Sequence, residues 1–270
     1  LRDYKGICNH GFCLYKSKKG CSLFSFFKKD FLFYFKNYVK NKNVFSFLFQ
    51  FVASYIGRIN TIFLSFFMKK ADCFIGVSRY IADVYVHNGY DKKKMAVVYN
   101  PAPQPGLRQL PIPMKLKNKI KQYKLKVLYA GKLSLGKGAD LLISAAQKIA
   151  IKRKDVLFIF SGKIYYPIKK INNQQLLFLG KIKNEILLEL ISLIDLVCIP
   201  SIWPEPLSRV VFEAFSLKKP VLSSLVGGQD ELVNNQNGWL AKPREKDLIF
   251  EFNKALKDKK KIARKGEAGF

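Results

Sequence analysis

Residues 195–214 read DLVCIPSIWPEPLSRVVFEA and change along their length from a residue pattern typical of a strand to one typical of a helix. Residues Asp195–Pro200 are mostly apolar without alternation, which predicts a strand buried on both faces. Pro206 suits the first turn of a helix, and the residues after it predict a helix over Pro206–Leu217. A buried strand followed by a helix is the repeating unit of a parallel α/β sheet.

The same alternation continues on both sides of this stretch. Further apolar strands are predicted at Lys126–Ala130, Val156–Ser161, Leu176–Leu179, Pro220–Ser224 and Gly238–Ala241. Helical patterns separate these strands, which indicates a parallel sheet with helices on both faces. The predicted fold class is therefore α/β.

Composition divides the chain into four predicted segments. A Pro-rich and then Lys-rich stretch around residue 110 is typical of an interdomain linker. The four segments are an incomplete amino-terminal domain over 1–103, a linker over 104–125, a ligand-binding sheet domain over 126–257 and a basic tail over 258–270. The chain opens with Leu1 in a loop-like stretch, so we expect it to begin inside a domain.

The turn that follows the strand Lys126–Ala130 combines flexible backbone with positive charge. Glycines from Gly131 to Gly138 let backbone amides approach an anion, and the helix start that follows adds partial positive charge. Lys132 and Lys137 supply two full charges. The turn matches neither the Walker pattern nor the dinucleotide fingerprint, but it has the form of a diphosphate cradle. The alternative is an ordinary turn in a lysine-rich protein.

Two carboxylates flank the helix start in the opening stretch. Glu205 lies just before the predicted helix and Glu213 lies two turns inside it. The amides of Leu207, Ser208 and Arg209 are expected to point outward, where a phosphate is favoured. Glu205 has the alternative role of a simple helix cap, whereas Glu213 lies among apolar residues, where an acid needs a partner.

A third turn follows the strand Pro220–Ser224. Gly227 and Gly228 precede a predicted short helix that contains Glu231. By itself this pattern is also typical of a routine strand-to-helix turn. Because the carboxyl ends of parallel strands share one sheet edge, we expect the three turns to meet there. Together they fit an anionic leaving group and a polyhydroxy substrate.

The charge of the chain is strongly positive, with 48 Lys and Arg against 19 Asp and Glu and a net charge of +29. Such a field favours anionic partners, namely nucleic acid, acidic lipid headgroups or phosphorylated substrates. The basic residues are spread along the chain, so a lysine-coated surface explains them equally well. A nucleic-acid-binding protein is the leading alternative function, but it does not explain paired glutamates at a helix start.

The five cysteines do not predict a disulfide framework, because their number is odd and two of them lie in apolar runs. An odd number of cysteines, two of them in apolar runs, fits a protein of a reducing compartment. Cys8, His10, Cys13 and Cys21 are of the residue types that could hold zinc, which is one alternative. Their spacing matches no common zinc pattern, so no metal is predicted.

Residues 23–70 are rich in Phe and predict two or three helices with broad apolar faces. Their longest uncharged run, Asn43–Gly57, is shorter than the about 20 apolar residues that span a bilayer. Core packing and an interfacial helix on an anionic membrane are the two alternatives. No secretory signal is recognisable, so we expect a cytoplasmic protein, with peripheral contact at the inner membrane face as a further option.

Several motifs, in order, resemble glycosyltransferase family 4, a group of retaining enzymes with the two-domain GT-B fold. Residues 71–78 resemble the family's AD-x-x-I-x-V-S strand, and residues 98–101 resemble its I-P-N-G turn. Residues 131–138 resemble G-R-L-x-x-x-K-G, with Lys in place of the usual Arg. The resemblance covers about residues 71–257, and residues 1–70 more loosely.

The carboxyl-terminal half carries the most specific of these motifs. Glu205 and Glu213 match the family's E-x7-E motif, with Ser208 where Gly is common. Residues 220–231 resemble P-V-V-A-S-x-x-G-G-x-x-E, and residues 237–238 resemble the start of N-G-x-L. The resemblance implies a GT-B fold of two Rossmann-like domains. The first is an incomplete acceptor-side domain over 1–103, and the second is a domain over 126–257 that binds the nucleotide-sugar donor.

The resemblance also implies roles for individual residues. Lys132 and Lys137 hold the donor diphosphate, and Glu213 binds the donor ribose hydroxyls. Glu205, with the amides of Leu207 and Ser208, holds the transferred sugar and its departing phosphate. The implied reaction is sugar transfer from a nucleotide-sugar with retention at the anomeric carbon.

The predicted site follows from these roles. Glu205 and Lys137 are the predicted catalytic residues. The predicted donor-binding residues are Gly131, Lys132, Lys137, Glu205, Pro206, Leu207, Ser208 and Glu213, and the predicted sugar-binding residues are Gly227, Gly228 and Glu231. No metal and no other cofactor is expected, because lysines and helix amides neutralise the leaving diphosphate. The expected partners are a nucleotide-sugar donor and a saccharide or lipid-linked acceptor, and not nucleic acid.

The front of the chain resembles the family's H-D-Y-K-L-I-C segment over Arg2–Cys8. Arg2 stands where many members carry a His near the acceptor, so no role for that His is carried over. The first strands that the family would place before this segment are not in the sequence. We therefore expect little or no turnover from these 270 residues alone.

Overall fold

The computed structural model describes residues 66–103, 110–165 and 171–270, together with positions 45, 48–49, 52–53, 56, 60 and 63–64. The Cys8–Cys21 group and the Arg2–Cys8 segment lie outside these residues. The described residues fall into two units, one within 1–74 and 84–95, the other within 75–83 and 96–270. The assignment of 1–103 to an acceptor-side domain stays a prediction.

A pair of short strands comes before the large sheet. β1 (Phe74–Gly76) pairs with β2 (Met95–Val97), and helix α1 (Arg79–His87) lies between them in the chain. Ser78 caps α1 as expected from its residue type, because its Oγ accepts the amide hydrogen of Ile81 at 3.2 Å.

Six parallel strands form the sheet of the second unit. In space their order is β5-β4-β3-β6-β7-β8, and every neighbouring pair is parallel. The strands are β3 (Leu125–Ala130), β4 (Val156–Ser161), β5 (Leu176–Gly180), β6 (Leu196–Ile199), β7 (Val221–Ser224) and β8 (Gly238–Ala241). The chain order reverses between β3 and β6, and this is the point where such sheets bind ligands.

Helices cover both faces of this sheet, as the unalternating strands predicted. They are α2 (Met114–Lys121), α3 (Ala139–Lys152), α4 (Asn184–Leu193), α5 (Arg209–Ser216), α6 (Glu245–Ala255) and α7 (Lys259–Glu267). Val127 of β3 faces a core shared with α3 and α6, while its neighbour Leu128 faces a core shared with α4 and α5. Successive strand residues therefore bury opposite faces.

The helix in the opening stretch begins at Arg209, and the predicted start at Pro206 is wrong. Leu207 is buried, and Ser208 keeps an extended backbone at φ −76° and ψ 126°. The first helical hydrogen bond runs from the Val211 amide to the Ser208 carbonyl at 3.1 Å. Burial of Leu207 thus holds the two residues after Pro206 out of the helix.

The predicted linker and tail contain helices that pack on the sheet domain. Within 104–125, Ile112 and the α2 residue Ile120 are buried in the same core as Leu128. Within 258–270, the ammonium of Lys265 donates to the Gly238 carbonyl at 3.0 Å and lies 4.8 Å from the centre of the Trp239 ring. Both segments therefore contribute to the packing of this unit.

Gly138 fixes how closely the turn after β3 approaches the end of β6. Its φ of +67° is left-handed, and a Cβ at this position would lie 1.9 Å from the carbonyl oxygen of Pro200. Only glycine permits this contact without backbone movement. The lysine-bearing turn and the glutamate-bearing loop are thereby held together.

Gly180 offers a matched control for a substitution at Gly138. Its φ of +68° is nearly the same, but nothing lies within 4 Å of an added Cβ. Gly180→Ala should reduce the free energy of unfolding by about 1 kcal/mol, the backbone cost alone. Gly138→Ala should cost about 2 to 4 kcal/mol, because steric overlap is added to that cost. Urea unfolding measures both, and equal losses would contradict the close approach.

Candidate functional site

Three loops meet at the carboxyl edge of the sheet, as the parallel topology predicted. The first follows β3, the second follows β6 and the third follows β7. The Gly136 carbonyl accepts the amide hydrogens of Ile202 at 3.0 Å and Trp203 at 2.9 Å, which joins the first loop to the second. The Glu205 carbonyl accepts the amide hydrogen of Gly228 at 3.0 Å, which joins the second loop to the third. These are backbone bonds, so the convergence does not depend on side-chain rotamers.

An ion pair lies where the first two loops meet. The Lys137 ammonium is 2.7 Å from Oε2 of Glu205, and the Ser201 hydroxyl donates to Oε1 of the same carboxylate. The Glu205 side chain is only 9% exposed, whereas Lys137 is 38% exposed. The carboxylate is therefore fixed at both oxygens, while the ammonium still reaches solvent and any anion that enters from it.

The glycines of the third loop lie against the backbone of the second loop. A Cβ on Gly227 would lie 2.0 Å from the Glu205 carbonyl oxygen, and one on Gly228 would lie 2.1 Å from the Pro206 carbonyl oxygen. Both positions are closed to larger residues unless the backbone moves. The paired glycines thus let two loops approach at main-chain distance beside Glu205.

Glu213 lies inside α5 and is 5% exposed. Among the described residues, its Oε2 atom has no hydrogen-bond partner. Burial raises the pKa of this carboxyl above its ordinary value, and the nearby positive charge of Arg209 acts in the opposite direction. A buried carboxylate with an unused acceptor is suited to receive hydroxyl groups of a ligand.

The start of α5 lies between the two glutamates in sequence. Because the helix begins at Arg209, the amides without an intrahelical acceptor are those of Arg209 and Val210 in its first turn. Leu207 and Ser208, for which this position was predicted, lie just before it. The helix start supplies partial positive charge for an anion, and it lies three residues after the predicted start at Pro206.

Lys132 lies in the same turn as Lys137 but is not part of the ion pair. Its ammonium is 5.6 Å from the centre of the Tyr165 ring, and its carbonyl accepts the Tyr129 hydroxyl hydrogen at 2.6 Å. Gly131, just before it, has a φ of +152°, which glycine tolerates. The backbone of this turn is thus held in place while the Lys132 side chain remains exposed.

Glu231 is engaged with the start of α1. Its carboxylate accepts the amide hydrogens of Arg79 at 2.8 Å and Tyr80 at 2.7 Å, and the Tyr99 hydroxyl hydrogen at 3.0 Å. Partial burial, followed by the Glu231 carboxylate, raises the pKa of the Tyr99 hydroxyl. The sequence did not reveal this long-range cap, and sugar binding by Glu231 stays a prediction.

Two side chains near the site were not singled out from the sequence. Ser201, whose hydroxyl donates to the Glu205 carboxylate, is 1% exposed. The sequence feature that could have indicated it is the Pro-Ser pair after β6, just before the E-x7-E motif. Gln229 is fully buried, and among the described residues neither polar atom of its side chain has a partner. A single glutamine after two glycines gives no sequence signal for such burial.

Neither a metal-binding cluster nor a membrane-spanning helix is found in the described part of the chain. There, no three side chains of the metal-binding types come together. The helices seen there are all too short or too polar to cross a bilayer.

The curated relatives of the chain include a spore coat protein and a lipopolysaccharide glycosyltransferase. Spore coat protein SA of Bacillus subtilis (strain 168) is 27% identical over 157 residues, 52% of this chain and 42% of that protein. Lipopolysaccharide 1,2-N-acetylglucosaminetransferase of Salmonella typhimurium (strain LT2) is 29% identical over 203 residues, 68% of this chain and 50% of that protein. The chain spans half or less of the length of these relatives.

The fold is also found in solved structures. The crystal structure of Anabaena Alr3699/HepE in complex with UDP has a TM-score of 0.64 and 26% identity, covering 74% of this chain and 58% of that one. The predicted fold class, α/β of the GT-B type, is thereby confirmed. Residues 114–270, more than half of the chain, match the family described as Glycosyl transferases group 1. The chain therefore belongs to the glycosyl transferases group 1 family.

Proposed function

We propose that these residues form the donor-binding part of a retaining glycosyltransferase. The enzyme transfers a sugar from a nucleotide-sugar to a saccharide or a lipid-linked saccharide. The observation that carries the proposal is the Lys137–Glu205 ion pair, set where three backbone-joined loops meet at the topological switch point. Cation, carboxylate and helix amides together are the groups that a sugar diphosphate requires.

Donor binding changes the partner of Lys137. The lysine ammonium exchanges the Glu205 carboxylate for an oxygen of the donor diphosphate, where the α5 amides and Lys132 add positive charge. This field stabilises the negative charge that grows on the leaving phosphate as the glycosidic bond breaks. Glu205, still held by Ser201, then accepts hydroxyl hydrogens of the transferred sugar.

The second carboxylate fixes the nucleoside. In our proposal the buried Oε2 of Glu213 accepts hydrogens from the donor ribose hydroxyls, which satisfies an acceptor that has no partner among the described residues. Hydrogen bonds from both ribose hydroxyls to this carboxylate fix the nucleoside and orient the diphosphate toward Lys137. Glycines 227 and 228 bring main-chain groups close to the sugar on the side of Glu205.

The donor class and the setting are inferred from relatives. The UDP complex of the Anabaena protein supports a uridine diphosphate donor, and the Salmonella relative supports a saccharide acceptor of the cell surface. We further propose a cytoplasmic site of action, at or near an anionic membrane that presents a lipid-linked acceptor. Retention is tested by assigning the anomer of the product by NMR.

UDP binding tests the proposal directly. Calorimetry should detect UDP binding to the chain, and Lys137→Gln should weaken it about 10- to 100-fold, because a charge-assisted hydrogen bond is lost. Lys246→Gln, an exposed lysine of α6 with the same charge change, should leave the affinity unchanged. Equal affinity in the wild type and the Lys137 variant would remove this lysine from the site.

Glu213→Gln should bind UDP less tightly and yet be more stable than the wild type at neutral pH. The unfolded carboxyl ionises near pH 4.5, whereas the folded one ionises at a higher pH because it is buried. Folding is therefore penalised progressively as the pH rises through that window, and fully above it. Gln avoids this ionisation penalty.

Thermal melting from about pH 4 to pH 7 measures this difference. The gain in melting temperature of the Gln variant should grow with pH and nearly vanish at the acid end. A variant that is less stable than the wild type at pH 7 would show that Glu213 has a stabilising partner after all.

A further inference from the structure

An exposed tyrosine lies at the carboxyl edge of the sheet, on a loop that the candidate donor site does not include. This loop follows β4, and 53% of the surface of its residue Tyr165 is exposed. A single exposed aromatic ring is common on protein surfaces. Three observations distinguish Tyr165, namely its backbone hydrogen bonds, the lysines beside its ring and the position of its loop along the sheet.

The backbone of this loop is joined to the turn that carries Lys132. The Leu133 amide donates to the Lys163 carbonyl at 2.9 Å, and the Tyr165 amide donates to the Leu133 carbonyl at 2.9 Å. Leu133 is 1% exposed, so a buried residue anchors both bonds. The backbone of Tyr165 therefore has a fixed position relative to the turn that would hold the donor diphosphate.

Two lysine side chains lie beside the ring of Tyr165. The ammonium groups of Lys132 and Lys163 are 5.6 Å and 5.5 Å from the centre of the ring. Both lysines are exposed, and in the part of the chain that the structure describes neither is paired with a carboxylate. The two ammonium groups thus keep hydrogen-bond donors for a ligand that brings acceptor oxygens to the ring.

The order of the strands puts this loop on the nucleoside side of the proposed donor. In space the strands run β4-β3-β6-β7. Under the proposed function the sugar lies by the glycines after β7, and the diphosphate lies between the turns after β3 and β6. Because the diphosphate joins the sugar to the nucleoside, the base extends to the other side. The next strand on that side is β4, about 4.8 Å from β3.

We propose that the ring of Tyr165 stacks on the nucleobase of the donor, with Lys132 and Lys163 beside the base. The inference rests on the proposed function and adds to it the side chain that recognises the base. Aromatic rings stack on every base, whereas ammonium groups favour a base with carbonyl oxygens, such as uracil. Both lysine side chains are exposed and can move aside, so a planar base can reach the ring.

Calorimetry with UDP and with inorganic pyrophosphate tests the proposal, because pyrophosphate has the charge of the diphosphate but no base. Salt at about 0.15 M limits unspecific anion binding to this basic chain. Tyr165→Leu should weaken UDP binding about tenfold and leave pyrophosphate binding unchanged. Tyr165→Phe keeps the ring and should keep the UDP affinity of the wild type.

Phe250→Leu is the matched control. Phe250 lies in α6, is 59% exposed and has the Lys254 ammonium 4.3 Å from the centre of its ring. This variant also loses an exposed ring beside a lysine, and it should bind both ligands as the wild type does. If Tyr165→Leu weakens both ligands equally, Tyr165 acts through the fold of the lysine turn, which contradicts stacking.

The same titrations separate this proposal from the proposed function. Suppose that Lys137→Gln weakens UDP binding and that Tyr165→Leu binds UDP as tightly as the wild type. The donor site then remains, and Tyr165 is not part of it. A wild-type protein that does not bind UDP would contradict the proposed function and this inference together.

Discussion

The approach of the Lys137 turn to the Glu205 loop is the constraint on which the rest of the site depends. The left-handed Gly138 against the Pro200 carbonyl and the two amides on the Gly136 carbonyl set this distance. The 2.7 Å ion pair is a consequence of that geometry. A surface ion pair of this kind would stabilise the fold little, but under the proposed function it keeps a cation next to the place where the donor diphosphate binds.

The candidate site contains polar side chains whose burial reduces the stability of the fold. Glu213 and Gln229 are buried with polar atoms that have no partners among the described residues. Such groups reduce stability unless a ligand satisfies them. Their position next to paired glycines and a helix start explains why these residues are suited to binding and poorly suited to core packing. Fold stability and the proposed donor binding therefore oppose each other at Glu213.

The sequence predicts the sheet well, because unalternating apolar strands, glycine turns and helix periodicity are local signals. The strands at Val156–Ser161 and Gly238–Ala241 are observed with the predicted bounds. The late start of α5 was missed because it depends on the burial of Leu207, a tertiary contact. The cap of α1 by Glu231 could not be predicted for the same reason, since 152 residues separate it from Arg79.

The most direct test is a crystal structure of the chain with UDP bound. The account predicts diphosphate oxygens in contact with the Lys137 ammonium and the first amides of α5, and ribose hydroxyls on the Glu213 carboxylate. In that complex the Lys137–Glu205 pair should have opened. UDP bound away from this edge of the sheet, or at it with the ion pair intact and Glu213 untouched, would contradict the account.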